Sequence, residues 1–488
     1  TFFSGNPFGT SSYGSVIFAS GSTYLQQAGS NPFGAGQPNS VVVFQTGSLC
    51  KVMANLSPSL SGRPYANFEM DAPGVTLSPT GTSAVSIDNL TITNGTFNFN
   101  MTGPSSGMHQ VKGDILVSSG GILNFNPASA STLSLAGPTT QSITINGSFS
   151  TNANLTLEIS NSAGINLNSA ITLNGDLELT NGPLSLGGAN LTLSPTSMIL
   201  GTPSNTAMVV ATGSGQLRKG FISGFTGSFV FPVGDNTATA EYSPVTLDFA
   251  SGTFATGNYA GVNLANAKYP TDPNTNSYLN RYWNLSSNGV TAFSCNATLQ
   301  YLTADVTGTE IEIFTMQVVP TPFTDFGLVQ SGQHLLYAPG LAAFGTFTGS
   351  QPLPSVITNP ASVIGANTAT LNGEVIAKYN PSSVSFEYGT TIAYGTTVTG
   401  QPPVVNGGGT STALANITGL TQNTTYHFRI FATNVQGTSY GNDLTFTTTC
   451  PSPSGAGTIS GPVNVCRNGS GYVYTVPAIQ YATSYTLN

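Results

Sequence analysis

The sequence predicts an all-β protein in which an N-terminal parallel β-helix, a solenoid of stacked coils, is followed by antiparallel β-sandwich modules. Three observations lead to this fold class. Short stretches near the N-terminus repeat with a period of 25 residues, and apolar and polar side chains alternate along much of the chain. Only 6% of the 488 residues are Asp, Glu, Lys or Arg, whereas typical globular domains contain about 25%. The alternation is typical of strands with one buried face.

The low charge suits a stacked architecture. Equivalent side chains of stacked strands lie about 4.8 Å apart, so like charges would repel by about 1 kcal/mol even in water, whereas Thr and Asn can stack with hydrogen bonds. The ten Lys and Arg residues also offer trypsin-like proteases few cleavage sites. The chain opens at Thr1 without a charged and apolar leader segment, and we expect a mature, secreted product that is extracellular or attached to the cell surface.

The repeat is clearest in the first fifty residues. NPFG at 6–9 recurs at 31–34, and SVIFASGS from 15 is echoed by SVVVFQTGS from 40. A period of this length indicates one supersecondary unit per coil, and the β-branched residues indicate strands. We therefore assign residues 1–204 to the parallel β-helix. Degenerate copies continue the pattern as IDNLTITNGTFNF from 87, VKGDILVSSGGILNF from 111, INGSFSTNANLTL from 145 and LNGDLELTNGPLSL from 173.

Beyond residue 204 the regular repeat stops and longer strand-like runs follow, joined by turn-rich segments. This pattern predicts an antiparallel β-sandwich over 205–350. The proline-bearing GSQPLPSVITNPAS then indicates a linker. In the next domain, 354–449, the stretch TYHFRIFATN alternates strictly, and Tyr426 comes just after a turn. A tyrosine corner at this residue is the expected structural role.

Two parts of the chain resemble modules of known proteins. GLTQNTTYHFRIFATNVQGTSYGNDLTFTT, with ATLNGEV and FEYGTT before it, resembles fibronectin type III-like modules of Bacteroidota cell-surface proteins over about 90 residues. No Trp stands on its strand B, so Leu371, Phe386 and Tyr388 are expected to complete the core. AGTISGPVNVCRNGSGYVYTVPAIQYATSYTLN resembles the start of a PKD-like module. We expect 450–488 to be a partial PKD- or Ig-like domain.

A further resemblance concerns the export route. GSFVFPVGDNTATAEYSPVTLDF and NRYWNLS are similar to a β-rich segment of large proteins exported by the type IX secretion system. Together the resemblances imply a long secreted or surface-anchored adhesin, or a filament subunit. The implied partners are other copies of the chain in a fibre, surface glycans or other cell-surface components.

Two classes of partner are not expected. The chain has 18 acidic and 10 basic residues without a basic cluster, which argues against a nucleic-acid partner. No run approaches the 18 apolar residues of a membrane span.

A carbohydrate-active enzyme is the first alternative function. β-Helices host polysaccharide lyases and hydrolases, and paired carboxylates can act as acid and base. Asp114 and Asp176 occupy the same repeat position, but Ser148 stands there in the intervening coil. We interpret both Asp residues as corner residues. Glu158 and Glu178 alternate with apolar residues and are predicted to face solvent.

A glycan-binding module is the second alternative. Trp283, the only tryptophan, would serve as a sugar platform, but it shares a strand face with Leu285 and is assigned to a core. His109, His334 and His427 fall in three different predicted domains and form no local catalytic constellation. We assign no catalytic, cofactor-binding or metal site and predict a protein that is not an enzyme.

The four cysteines allow three pairings if all are bridged. Cys450 and Cys466 flank a short segment rich in Pro and Gly and form the candidate disulfide. The pairing of Cys50 and Cys295 stays open. No cofactor is expected; DPNTNS, from 272, is interpreted as a turn, with a structural Ca²⁺ site as the alternative.

Overall fold

The computed structural model describes most of the chain. The described residues are 14, 16–28, 42–56, 60–79, 81–101, 108–319, 323–450, 455, 457–465, 467–480, 482 and 484. Within them every regular element is a β-strand, apart from two short 3₁₀ helices at Thr303–Asp305 and Glu310–Glu312, so the predicted all-β fold class is confirmed. The chain forms two compact units, residues 1–272 with 277–350 and residues 273–276 with 351–488.

The first unit begins with short strands that, except for β21, pair in parallel with strands one coil away. These strands are β1 (Val16–Phe18), β2 (Thr23–Gln26), β3 (Val42–Phe44), β4 (Leu49–Val52), β5 (Pro64–Leu77), β6 (Ser86–Asn98), β7 (His109–Val111), β8 (Ile115–Phe125), β9 (Ser131–Leu135), β10 (Gln141–Ile145), β11 (Ser148–Thr151), β12 (Leu155–Ser160), β13 (Ile165–Leu167), β14 (Ile171–Leu173), β15 (Asp176–Asn181), β16 (Leu184–Ser185), β17 (Leu191–Leu193), β18 (Ile199–Gly201), β19 (Val209–Val210), β20 (Leu217–Lys219), β21 (Gly227–Phe231) and β22 (Val233–Asp235).

The parallel strands stack in columns. One column contains the starts of β5 and β6, followed by β7, β9, β12, β15 and β18. A second contains β2, β4, the middles of β5 and β6, the start of β8, and then β10, β13, β16, β19 and β22. The ends of β5, β6 and β8 stack with β11, and in later coils β14, β17 and β20 stack with one another. The parallel pairing extends beyond residue 204, to Gly234.

The core of the coils comes from alternation along each strand. Alternate residues point inward, and the inward positions of successive coils meet in register. At the N-terminal end Phe18 lies opposite Phe44, with ring centroids 4.8 Å apart. This register is one residue longer than the 25-residue period because SVVVF has one more residue than SVIF. Both NPFG copies lie outside the described residues.

Outward polar side chains tie consecutive coils together. Asn67 Nδ2 donates to the Ser48 carbonyl at 2.9 Å, and Asn89 Nδ2 donates to Asn67 Oδ1 at 2.7 Å. The Asp114 N–H then donates to Asn89 Oδ1 at 2.7 Å, and the Ser142 N–H donates to Asp114 Oδ1 at 2.8 Å. We call this run of side-chain bonds the amide ladder. It crosses several coils, with Asp114 as its only ionisable side chain.

Antiparallel strands follow the coils directly. Strand β20 of the last coil pairs with β17 on one edge and antiparallel with β24 on the other, so the sheet continues without a break. The long strands β24 and β26 pair along most of their lengths. The strands of this part are β23 (Glu241–Tyr242), β24 (Val245–Ala265), β25 (Tyr278–Leu279), β26 (Tyr282–Gln300), β27 (Val306–Thr307), β28 (Phe314–Val319), β29 (Thr324–Leu328), β30 (Leu335–Leu341) and β31 (Thr346–Ser350).

A fully buried arginine lies where the coils meet the antiparallel strands. Arg281 Nη1 donates to Asp235 Oδ2 at 2.7 Å, Nε donates to Asp305 Oδ2 at 2.8 Å, and Nη2 contacts Glu241. Asn266 adds bonds to Asp235 at 3.1 Å and to Glu241 at 3.0 Å. Burial raises the pKa of Glu241, an effect that Arg281 opposes and the other two carboxylates reinforce. This cluster joins β22, β23, the start of β26 and the first 3₁₀ helix.

The second unit contains a β-sandwich. Strands β32, β33 and β36 form one sheet, while β35, β34, β37, β38 and β39 form the other. Leu371 and Phe386 are fully buried in its core, and Tyr388 packs against it. The strands are β32 (Ser355–Ser362), β33 (Thr368–Ile376), β34 (Ser382–Gly389), β35 (Thr396–Val405), β36 (Thr410–Thr418), β37 (Thr425–Asn434), β38 (Gly437–Tyr440) and β39 (Leu444–Thr447).

A tyrosine fastens the turn before β37. The Tyr426 hydroxyl accepts the N–H of Thr421 at 2.9 Å, which is the geometry of a tyrosine corner. Its ring packs in the core and stacks on Phe446 at 5.6 Å. Of residues 450–488, the described ones form one antiparallel bridge, Ser460 with Thr475.

The amide ladder predicts a cost for removing one of its members. Asn89→Ala removes the acceptor of the Asp114 N–H and the donor to Asn67, and should lower the free energy of unfolding by about 1–3 kcal/mol. Urea denaturation followed by the fluorescence of Trp283, which is buried in the first unit, measures this change. The exposed Asn288→Ala should change it by less than about 0.5 kcal/mol. Equal effects of the two substitutions would contradict a stabilising ladder.

Arg281→Met should be far more destabilising. It leaves three carboxylates without their buried cation, which costs about 3–5 kcal/mol. Arg281→Lys should be intermediate, because an ammonium keeps the charge but lacks the fork of donors that reaches three carboxylates. The matched control is Arg218→Met, which removes a guanidinium stacked at 4.4 Å on Tyr259 and its bond to Gln216 at 3.3 Å, and should cost about 1 kcal/mol. A loss for Arg281→Met no larger than for Arg218→Met would show that the cluster contributes little.

Candidate functional site

The two aspartates considered for the alternative enzymatic function, and interpreted as corner residues, lie in different strand columns. Asp114 precedes β8 in the second column, whereas Asp176 begins β15 in the first, opposite Thr156. The interpretation that they occupy the same repeat position is therefore wrong. Corner segments of unequal length shift the coils relative to the sequence repeat. Asp176 Oδ1 accepts the Met198 N–H at 2.8 Å, just as Asp114 accepts that of Ser142. Each carboxylate holds the backbone of the following coil.

The prediction that Glu158 faces solvent is also wrong. Glu158 is only 6% exposed and lies in register between Ser134 and Glu178 of the neighbouring coils. Its Oε1 accepts the Thr180 hydroxyl at 2.9 Å. A side chain in the middle of a stack has neighbours on both sides, which single-strand alternation does not reveal. Glu178 is half-buried.

The three histidines have different partners. His109 is buried, its Nδ1 accepts the Val85 N–H at 3.3 Å, and its ring meets that of Phe99 edge-on. His334 Nδ1 lies 2.8 Å from Glu310 Oε1. Its Nε2 lies 3.2 Å from the Thr303 hydroxyl, so the ring connects Glu310 with Thr303.

Trp283 and two cysteines are core residues of the first unit. Trp283 is fully buried, and its Nε1 donates to the Ser243 carbonyl at 3.4 Å. Cys50 and Cys295 are buried as unbridged thiols; burial raises the pKa of both, that of Cys295 to about 12. Such thiols are inert at neutral pH.

The candidate disulfide and calcium segments are described only in part. Cys450 is exposed, while Cys466 lies outside the described residues, and so does their predicted pairing. In DPNTNS, Asn274 is buried; its Oδ1 accepts the Asn276 N–H at 3.0 Å and its Nδ2 donates to Gln351 at 3.3 Å. Across the described part of the chain, no group of three or more His, Cys, Asp or Glu side chains is arranged to hold a metal ion.

The structure brings together a cleft in the first unit that sequence reasoning missed. Its volume is 570 Å³, and most of its lining is apolar. One wall follows the corner after β17, and the other follows β21 and the turn before it. The lining residues are Pro195, Thr196, Ser197, Met198, Ile199, Pro203, Lys219, Phe221, Phe225, Ser228, Phe229, Val230, Pro232 and Tyr242.

A buried lysine closes one side of this cleft. Lys219 Nζ donates to the carbonyls of Ser194 at 2.6 Å, Pro195 at 3.0 Å and Ser197 at 2.6 Å. These bonds use all three ammonium donors. Burial lowers the pKa of Lys219 to about 8, while the charge of Asp176 acts in the opposite direction. The ammonium therefore holds the corner after β17 and has no donor left for an anionic ligand.

The outer face of the sandwich carries a second cluster, the tyrosine–arginine surface. The Arg429 guanidinium lies over two rings, 4.2 Å from the centroid of Tyr440 and 4.9 Å from that of Tyr394, and its Nε contacts Glu387. The Tyr394 hydroxyl donates to Asp443 at 3.0 Å.

A histidine extends this surface, because His427 Nδ1 lies 2.8 Å from the other oxygen of Asp443. Alternation along β37 places His427 and Arg429 outward, but their partners come from other strands and from the segments that connect them. The alternation pattern of a single strand could not predict these contacts.

Comparison with known proteins gives weak similarities. No family model and no curated protein matches the chain. The sensor domain of the anti-sigma factor RsgI4 in Pseudobacteroides cellulosolvens is 23% identical, with 20% of this chain and 93% of that chain covered and a TM-score of 0.16. The FN1–FN3 domains of chicken CNTN1 are 8% identical, with 47% of this chain and 100% of that chain covered and a TM-score of 0.16. The architecture described above therefore rests on the strand pairing itself.

In the described ranges of the chain, no helix is both long and apolar enough to cross a bilayer.

Proposed function

We propose that the chain is a non-enzymatic extracellular structural or adhesive protein, an adhesin or a filament subunit of the cell surface. The observation that supports the proposal is that carboxylates of the chain bond to groups that maintain the fold. Asp114 and Asp176 each accept a backbone N–H of the next coil, and Asp235 and Asp305 neutralise a buried arginine. These groups support the fold and are not convergent on a cleft, as acid–base catalysis would require.

The outer surface suits weak, distributed binding. The coils present Ser, Thr and Asn with few charges, and such faces bind through many hydrogen bonds and shape fit rather than one deep pocket. The tyrosine–arginine surface adds the residue types that dominate binding energy at protein surfaces. Several modules in series would raise the avidity of individually weak contacts.

The location and export route belong to the same proposal. The chain is poor in Lys and Arg, and three of the ten such residues, Arg63, Lys219 and Arg281, are buried, which suits an environment rich in proteases. The resemblance to Bacteroidota surface modules supports secretion through the type IX system.

Enzymatic activity is the outcome that most directly opposes the proposal. The purified chain should release no new reducing ends or unsaturated uronates from a panel of acidic and neutral polysaccharides. Asp114→Asn and Asp176→Asn keep an acceptor oxygen for the next coil and serve as isosteric controls. Turnover by the parent chain that either variant abolishes would replace the proposal with a carbohydrate-active enzyme.

Electron microscopy of the purified chain separates the two structural roles. Regular fibres that grow with concentration support a filament subunit. Isolated particles that bind immobilised glycans or cell-surface preparations support an adhesin. Isolated particles that bind neither would contradict both roles.

A further inference from the structure

Strand β21 has one paired edge and one open edge. It pairs antiparallel with β24 from Gly227 opposite Phe249 to Phe231 opposite Val245. Farther along the same side of β24, β20 takes the equivalent place and is itself covered by β17. Among the described residues no strand covers β21 in the corresponding way. The sheet is therefore one strand narrower beside β21 than beside β20. The position left uncovered is the one that a strand collinear with β17 would occupy.

The open edge lacks the protection that natural sheets give to exposed edges. Such edges are blunted by Lys, by Pro, by bulges or by inward-pointing charges. Residues 227–231 read GSFVF, with no charged residue, and Pro232 comes only after the strand. The register with β24 is continuous, without a bulge. Ser228 and Val230 are exposed. An unprotected apolar edge of this kind is suited to pairing with another strand.

The cleft described above lies beside this edge. Ser228, Phe229 and Val230 of β21 form one wall, and the other wall contains Met198, from the corner after β17, and Ile199, at the start of β18. Met198 is 56% exposed and Val230 is 46% exposed, so both walls present apolar surface to solvent. A cavity of 570 Å³ falls in the range of ligand pockets, about 300–1,000 Å³.

The chemistry of the two features points to one kind of occupant. An open strand edge offers backbone N–H and C=O groups at the spacing of a β-ladder, which another extended polypeptide satisfies and an apolar small molecule does not. The apolar walls favour an apolar side chain. Lys219 has used its three donors on backbone carbonyls, so it offers no free ammonium donor to a carboxylate.

We propose that β21 accepts an extended, uncharged segment of another polypeptide as an added strand, with one of its apolar side chains in the neighbouring cleft. Backbone bonds to β21 supply the pairing, and the cleft selects side chains on one face of the incoming strand. This inference goes beyond the structural or adhesive role, because it specifies the class of partner and the strand that receives it.

The test uses the full chain and a synthetic peptide of residues 189–194, ANLTLS, which copies the strand that covers β20. A fluorescent, capped form of this peptide should bind saturably in anisotropy titrations. A version N-methylated at alternate residues keeps the apolar side chains but loses donors on one edge, and should bind at least tenfold more weakly. Hydrogen exchange should show protection of residues 227–231 when the peptide is bound.

Variants of the chain locate the site. Val230→Lys places a charge on the open edge and should weaken peptide binding at least tenfold, and Met198→Asp on the opposite wall should act likewise. Val404→Lys, at an exposed position of the sandwich, is the matched control and should leave binding unchanged. Melting temperatures identify any variant that fails to fold. No saturable binding, or equal binding of the N-methylated peptide, would overturn the proposal; so would an unchanged affinity in folded Val230→Lys and Met198→Asp chains.

Discussion

In-register stacking is the constraint on which the coils depend. Strands one coil apart lie about 4.8 Å from each other, so every outward side chain sits directly against its counterparts above and below. Charges are tolerated in such a column when they alternate in sign or find partners. Lys51 shows this, because its ammonium lies 3.0 Å from Glu69 and 2.8 Å from Asp71 on the next coil. Where no such partner exists, amides and hydroxyls replace charges, as in the amide ladder. This replacement explains why only 6% of the residues are charged.

A stack of coils must also end, and natural sheets usually cover or blunt the strand edges exposed there. Strand β20 passes its outer edge to β24, so an antiparallel sheet takes over where the parallel coils stop. The cluster around Arg281 lies at this change of direction and surrounds one buried guanidinium with three carboxylates. Strand β21 departs from this rule, since it gains β24 on one side only. The open edge is where the structure offers pairing to another chain.

The fold class could be predicted from the sequence because alternation and corner residues are local signals. Register could not, since corners of unequal length separate the coils: Leu90 meets Ile115, whereas Leu157 meets Leu177. The apparent equivalence of Asp114 and Asp176 failed for this reason. The bond between Thr421 and Tyr426 spans five residues and lies within reach of pattern analysis. The Arg281 cluster and the apolar cleft join segments that are distant in the sequence, and no local sequence pattern predicts them.

The central claim is that stacking in register governs which side chains the coils accept, and Thr91 offers a direct test. It lies opposite Glu69 on one neighbouring coil and opposite the uncharged Leu116 on the other. Thr91→Glu should lower the free energy of unfolding by about 1 kcal/mol relative to Thr91→Lys, and added salt should narrow the gap. Urea denaturation of both variants at low and high ionic strength makes the measurement. Equal stabilities at every salt concentration would show that the coils do not stack in this register.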